Sequence, residues 1–157
     1  MIDIREARPA DADEIAAVLV ASITQLCKPD HGGDAALIAA WTANKTRENV
    51  MRWIFTAGST LLSAKIDGAV AGVASYEASG QILLNYVSPG HRGTGVSTAL
   101  LAEMEAALAA AGCTDGRLVS TKTALDFYQA RGWVTDGPTT PAEPVRGYPM
   151  TKRLGTG

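Results

Sequence analysis

The sequence predicts an α/β (α+β) fold: a mixed, mostly antiparallel seven-stranded sheet with helices on both faces. Three patterns predict it. Asp67-Gly68 and Ser79-Gly80 separate three alternating apolar segments, 60–66, 69–77 and 81–87, which reads as an antiparallel meander. A glycine-rich turn then leads into an apolar helix and a further short strand, which is a β-α-β crossover with parallel strands. Ahead of these, residues 11–57 carry apolar residues at helical spacing.

The elements follow in order. Residues 3–7 form a first strand, and Arg8-Pro9-Ala10-Asp11 turns the chain. Asp11 with Glu14 is the pattern of a capping box, and Ile15, Val18, Leu19, Ser22, Ile23 and Leu26 recur as one helical face up to Cys27. Lys28-Pro29 ends that helix, and 29–34 reads as a loop. Helices are expected at 35–43 and 46–57, the second capped by Thr46. Trp41, Trp53 and Phe55 are expected in the core, with the wall of a substrate pocket as the alternative. Lys45, Arg47, Glu48 and Arg52 read as a solvated face. After the meander, Val96, Leu100, Met104, Ala107, Leu108 and Ala111 line one side of a helix stopped by Gly112. Residues 117–120 form a strand parallel to 81–87. Residues 123–131 form a short helix ended by Gly132, 133–135 a strand, 137–144 a Pro/Thr-rich loop, and 146–154 the last strand.

Composition narrows the function. The length suits one domain over 1–157, with 46% hydrophobic and 19% charged residues. A net charge of −2 argues against a nucleic-acid partner. No apolar run is long enough to span a bilayer and no N-terminal signal pattern is present, so a cytoplasmic location without a membrane partner is expected. The two cysteines, Cys27 and Cys113, read as small buried hydrophobes. Cys27, Asp30 and His31 lack the further ligands a structural zinc needs, so no metal is expected.

The chemistry sits in the segment 82–101. An apolar strand ends at Val87, Gly90, Gly93 and Gly95 follow, and an apolar helix begins. Such a turn offers backbone N–H groups to an anion at the positive end of the helix. A Rossmann turn would follow the first strand, and a P-loop would need Lys-Ser or Lys-Thr after its last glycine; this chain has neither. Val87-Ser88-Pro89 with Arg92-Gly93-Thr94-Gly95-Val96, then Ala124-Leu125-Asp126-Phe127-Tyr128 with Gly132-Trp133, resemble the two signatures of the GNAT acyltransferase superfamily. The predicted strand and helix order also resembles that family over nearly the whole chain.

The resemblance implies an N-acetyltransferase that moves an acetyl group from acetyl-CoA to a primary amine, expected to be a small molecule, by direct attack on the thioester. It implies that Arg92, Gly93, Thr94, Gly95, Val96 and Ser97 hold the pyrophosphate. Asn85, Tyr86 and Val87 would meet the pantetheine and thioester, where the family's central strands diverge. Thr121, Ala124 and Phe127 would complete the cofactor site. Asn85 stands where an apolar residue is more usual, and Thr121 where an Asn is frequent. Tyr128 is the expected general acid for the departing thiolate. The family often places a basic carboxylate at the start of the central strand, where this chain has Ser79-Gly80-Gln81; Glu77, Asp30 and His31 are the candidates left. A protein N-terminus or lysine as acceptor, and a non-catalytic acyl-CoA-binding or sensing module, are the alternatives. By fold analogy, 146–154 is a candidate edge for a homodimer.

Overall fold

Among the described residues, eight strands form two four-stranded sheets that touch at one point. The computed structural model describes residues 1–155. The first sheet has the order β1-β2-β3-β4, all antiparallel: β1 Asp3–Glu6, β2 Ser59–Ile66, β3 Ala69–Glu77 and β4 Ile82–Val87. The second has β5 Asp115–Ser120 beside β8 Arg146–Arg153, with β6 Val134–Thr135 and β7 Thr140–Pro141 on the other side of β8. The α+β class is as the sequence predicts; the strand count is eight rather than seven. The extra strand, β7, lies in the expected Pro/Thr-rich loop, where an outer strand tolerates Pro141.

Asp67 (φ +51°) and Gly68 (φ +82°) are both left-handed, which is the turn that matches the twist of the β2–β3 hairpin. Opposite faces of the hairpin then feed two cores. Val70, Val73 and Leu61 pack against α1 (Ala12–Leu26) and α4 (Arg47–Ile54). Leu62, Ala64 and Ala74 pack under α5 (Val96–Ala110), with Leu100, Met104 and Leu108. Gly72 lets α5 come close, because a Cβ there would stand 2.4 Å from Val96 Cγ1.

Several expectations need correction. The capping box does not form: Asp11 pairs with Lys65 (2.9 Å), and Glu14 accepts from the Val70 N–H (2.8 Å). Tertiary partners claimed both carboxylates. Residues 28–31 are a helical turn, α2 (Lys28–His31), rather than loop; Pro29 fits the first turn, where its missing N–H costs nothing. The next two helices, α3 (Ala35–Thr42) and α4, begin at Asp34 and Thr46 caps, and α4 ends three residues before residue 57. Trp41 is fully buried, but Phe55 is 71% exposed. Lys45 is buried instead of lying on a solvated face. The last strand is interior, flanked by β5 and by β6 and β7, so it is no free edge for a partner. The parallel pairing of the central strands is confined to one bridge, Gln81↔Arg117.

Candidate active site

Beyond that bridge β4 and β5 separate, and the separation makes the site. β4 keeps its β3 partners up to Val87, but its other edge at Asn85–Val87 has no strand beside it. A gap of about 50 Å³ opens there between residues 82–86 and 118–121, with Tyr128 on its wall. Buried backbone groups need partners, so an extended amide chain fits this edge.

On one side the gap leads into a cleft of about 500 Å³. The 3-10 turn Pro89–His91 and residues 92–95 bring the chain into α5. Gly93 (φ +80°) and Gly95 (φ +89°) are left-handed, and Gly95 occupies the N-cap, so no side chain covers the helix start. The first intrahelical bond across this junction is Ala99 N–H to the Gly95 carbonyl (3.0 Å), which leaves the Val96, Ser97 and Thr98 N–H groups for a ligand. The N–H groups of Arg92 and Thr94 are used inside the turn, on Pro89 and His91 carbonyls. Of the twelve cofactor contacts expected, eleven line this cleft. Thr94 does not; its hydroxyl donates to the His91 carbonyl instead.

The cleft also contains residues that sequence reasoning missed. Arg131 lies over the Phe127 ring (3.9 Å), donates to the Phe127 carbonyl (2.8 Å) and to Thr98 Oγ1 (2.9 Å), and so brings a fixed cation to the α5 start. Its spacing four residues after Phe127 was the available signal. His91 lines the cleft with a buried, unpartnered Nδ1, and Asn85 with a buried, unpartnered Oδ1. Asn85 Nδ2 contacts the Ser97 carbonyl at 3.4 Å. Ser22, Leu26 and Cys27 of the first helical segment complete the wall.

Tyr128 projects from α6 (Leu125–Gln129), wedged edge-on between Phe127 (5.2 Å) and Trp133 (6.1 Å). It is buried and borders both the cleft and the gap. Burial pushes its hydroxyl up to about 12, and the Asn85 side chain partly offsets this. The group therefore keeps its proton at neutral pH. Burial likewise pushes the Cys27 thiol up to about 12, aided by the nearby Asp30 carboxylate. Tyr86 is held well above the ordinary phenol range, by burial first and then by its neighbours Cys27 and Glu143.

The expected base candidates are occupied or distant. Asp30 accepts from the N–H groups of Lys122 (2.7 Å) and Thr123 (3.0 Å) and from the Thr123 hydroxyl, pinning α2 to the loop before α6. Both His31 nitrogens are engaged, Nδ1 by the Gly33 N–H (2.9 Å) and Nε2 on the Ile23 carbonyl (2.9 Å). Glu77 is exposed at the end of β3 and borders neither cleft. Among the described residues no three His, Cys, Asp or Glu side chains gather as a metal site, and no helix is long and apolar enough to cross a membrane.

On its other side the gap opens into a second cleft, of about 410 Å³, walled by Trp41, Leu84, Tyr86, Glu143, Val145 and Arg146. Tyr86 and Thr121 border all three spaces. A GNAT acetyltransferase domain matches residues 27–154, four-fifths of the chain. The chain belongs to the GNAT acetyltransferase family. Membership makes it an acyl-CoA-dependent N-acetyltransferase with acetyl-CoA as cosubstrate. Among solved structures, a GCN5-related N-acetyltransferase of Rhodopseudomonas palustris is 28% identical, with a TM-score of 0.86 over 97% of this chain and 95% of its own. The PaiA N-acetyltransferase of Thermoplasma acidophilum, solved with coenzyme A, is 19% identical, with a TM-score of 0.82 over 98% and 99% of the two chains. The yncA protein of Salmonella typhimurium, solved with its cofactor acetyl-CoA, is 17% identical, with a TM-score of 0.75 over 99% and 95%. The last two likenesses speak to fold. A comparison with curated proteins finds no match.

Proposed function

We propose that this GNAT acetyltransferase works as one domain that acetylates the primary amine of a small molecule by direct attack on the acetyl-CoA thioester. The observation that carries this reading is the gap beside Tyr128. A cleft with a bare helix N-terminus and a second, concave cleft meet there through a gap the width of a strand edge. The free N–H groups at Gly93, Gly95 and the first turn of α5 suit the pyrophosphate, with Arg92 and Arg131 adding charge. The open edge at Asn85–Val87 suits the pantetheine amides, and the orphaned Asn85 Oδ1 can accept from one of them. A backbone N–H near Val87 would polarise the thioester carbonyl.

The amine attacks from the second cleft as a neutral group. Its nitrogen bonds to the acyl carbon, the C–S bond breaks, and the leaving sulfur takes the Tyr128 proton. A phenol pushed up to about 12 is a poor place to leave a negative charge. The proton shed by the new amide nitrogen therefore returns to it as the intermediate collapses. A site of about 410 Å³ walled by the 142–147 segment is of the size that takes a metabolite, which supports a small acceptor over a protein chain. Free Cys27 and Cys113 suit a reducing cytoplasm. Strand pairing in a homodimer would use the edge β1 or β6, since β8 is interior.

The test is thiol release from acetyl-CoA across a panel of small primary amines and lysine peptides. Turnover with small amines, and little with peptides, is expected. Faster turnover of peptides would contradict the small-molecule acceptor, and binding of acetyl-CoA without turnover of any amine would point to a sensing module.

A further inference from the structure

The acceptor-side cleft holds one carboxylate, Glu143, in the turn between β7 and β8. Ala142 N–H to the Val145 carbonyl (3.3 Å) closes that turn. Glu143 Oε1 accepts from Lys45 Nζ at 2.9 Å, and the Lys45 side chain is only 2% exposed. The same ammonium donates to Asn44 Oδ1 (2.8 Å). The bond joins segments 98 residues apart, so it fixes the 142–145 turn over the cleft. A buried ammonium needs an anionic partner, which makes the Lys45–Glu143 contact a tether for the turn.

The Glu143 side chain nonetheless keeps 38% of its surface open, so it reaches both the cleft and solvent. Trp41 lines the same cleft and is fully buried, with its indole beside the Tyr86 hydroxyl. The other titratable groups of the cleft are Tyr86 and Arg146. Neither supplies a basic oxygen at neutral pH, because burial keeps the Tyr86 hydroxyl protonated.

We propose that Glu143 receives the ammonium group of the acceptor and takes one proton from it, and that Lys45 is the positioning residue that holds this carboxylate over the cleft. The proposal rests on the reading of the protein as an amine acetyltransferase. The bookkeeping of protons closes. The ammonium gives one proton to Glu143, which passes it to solvent, and the neutral amine attacks. The second nitrogen proton replaces the one that Tyr128 gives to sulfur, so one proton is released per turnover.

The experiment compares the wild type with Glu143→Gln, using ethanolamine, n-propylamine and 1,4-diaminobutane as probes and the fastest of them for detailed rates. Glutamine keeps an oxygen for Lys45, so the tether survives. At about pH 7, kcat/KM for the amine is expected to fall on the order of 10²-fold. The deficit narrows toward about pH 10, where the free amine has lost its proton unaided, and acetyl-CoA affinity is unchanged. A variant within about threefold of wild type at neutral pH overturns the proposal and leaves the acetyltransferase reading standing. A wild type that binds acetyl-CoA but acetylates no probe overturns that reading as well. Lys45→Met, checked for normal acetyl-CoA binding, is expected to raise the amine KM more than it lowers kcat. An unchanged amine KM would remove the positioning role.

Discussion

The two clefts joined at Tyr86 and Thr121 are built in opposite ways. The proposed cofactor side is largely backbone, and its donors come from one continuous run of chain at the start of α5. The proposed acceptor side is side chain, assembled from α3, β4, β5 and the β7–β8 turn, and its firmest contact spans 98 residues. A pyrophosphate has fixed geometry and charge, and a bare helix start meets it with no particular side chain. An acceptor's shape varies, and only side chains brought from several elements can match it. Variants on the first side should alter cofactor affinity, and variants on the second the choice and protonation of the amine.

Tyr128 lines one cleft and the gap that joins it to the other, and it gives the largest expected effect. Tyr128→Phe should lower kcat on the order of 10²-fold or more with little change in the KM for acetyl-CoA, as measured by steady-state thiol release. With the hydroxyl pushed up to about 12, the wild-type kcat should show no alkaline fall from this group below about pH 11.

Asp30→Ala tests the seam between the regions. It removes the acceptor of three hydrogen bonds that hold the Lys122–Thr123 segment, of which Thr123 lines the first cleft beside Ala124. Stability should fall by about 1–3 kcal/mol in denaturant unfolding. The KM for acetyl-CoA should rise several-fold.

Cys27→Ala should have the smallest effect, a loss of packing at every pH with a further, pH-dependent part in the alkaline range. The folded-state thiol is raised from 9.0 to about 12, so its contribution to stability is full below pH 9 and is lost as pH rises through 12. The wild type should lose stability over that window, and the variant should lose less. The buried tyrosines act in the same sense in both proteins. Unfolding midpoints between neutral pH and about pH 11 measure the difference.

The same contrast explains what could be read from the residues alone. The meander was legible because Asp67-Gly68 demands one turn geometry. The bare start of α5 was legible because Gly93 and Gly95 lie next to the helix they uncover. The capping box at Asp11 and Glu14 was illegible in its outcome, since Lys65 and the Val70 N–H compete for those carboxylates through the fold. Lys45 looked like a surface charge because its partner, Glu143, is remote in sequence. Asp30 and His31 looked like bases for the same reason; their hydrogen bonds to Thr123 and Ile23 are tertiary. The opening of β4 from β5 follows from sheet pairing, which no local pattern encodes.

The most direct test of the account is a calorimetric titration with acetyl-CoA and with S-acetylpantetheine, which lacks the pyrophosphate, on wild type and Gly95→Val. Gly95 has open space around it but a φ of +89°, so valine strains the helix start and shields its N–H groups. The account predicts that wild type binds acetyl-CoA at least about 10²-fold more tightly than S-acetylpantetheine and that valine removes most of this gap. Equal affinity of the wild type for the two ligands, or a gap that valine leaves intact, would contradict a pyrophosphate cradle at the start of α5.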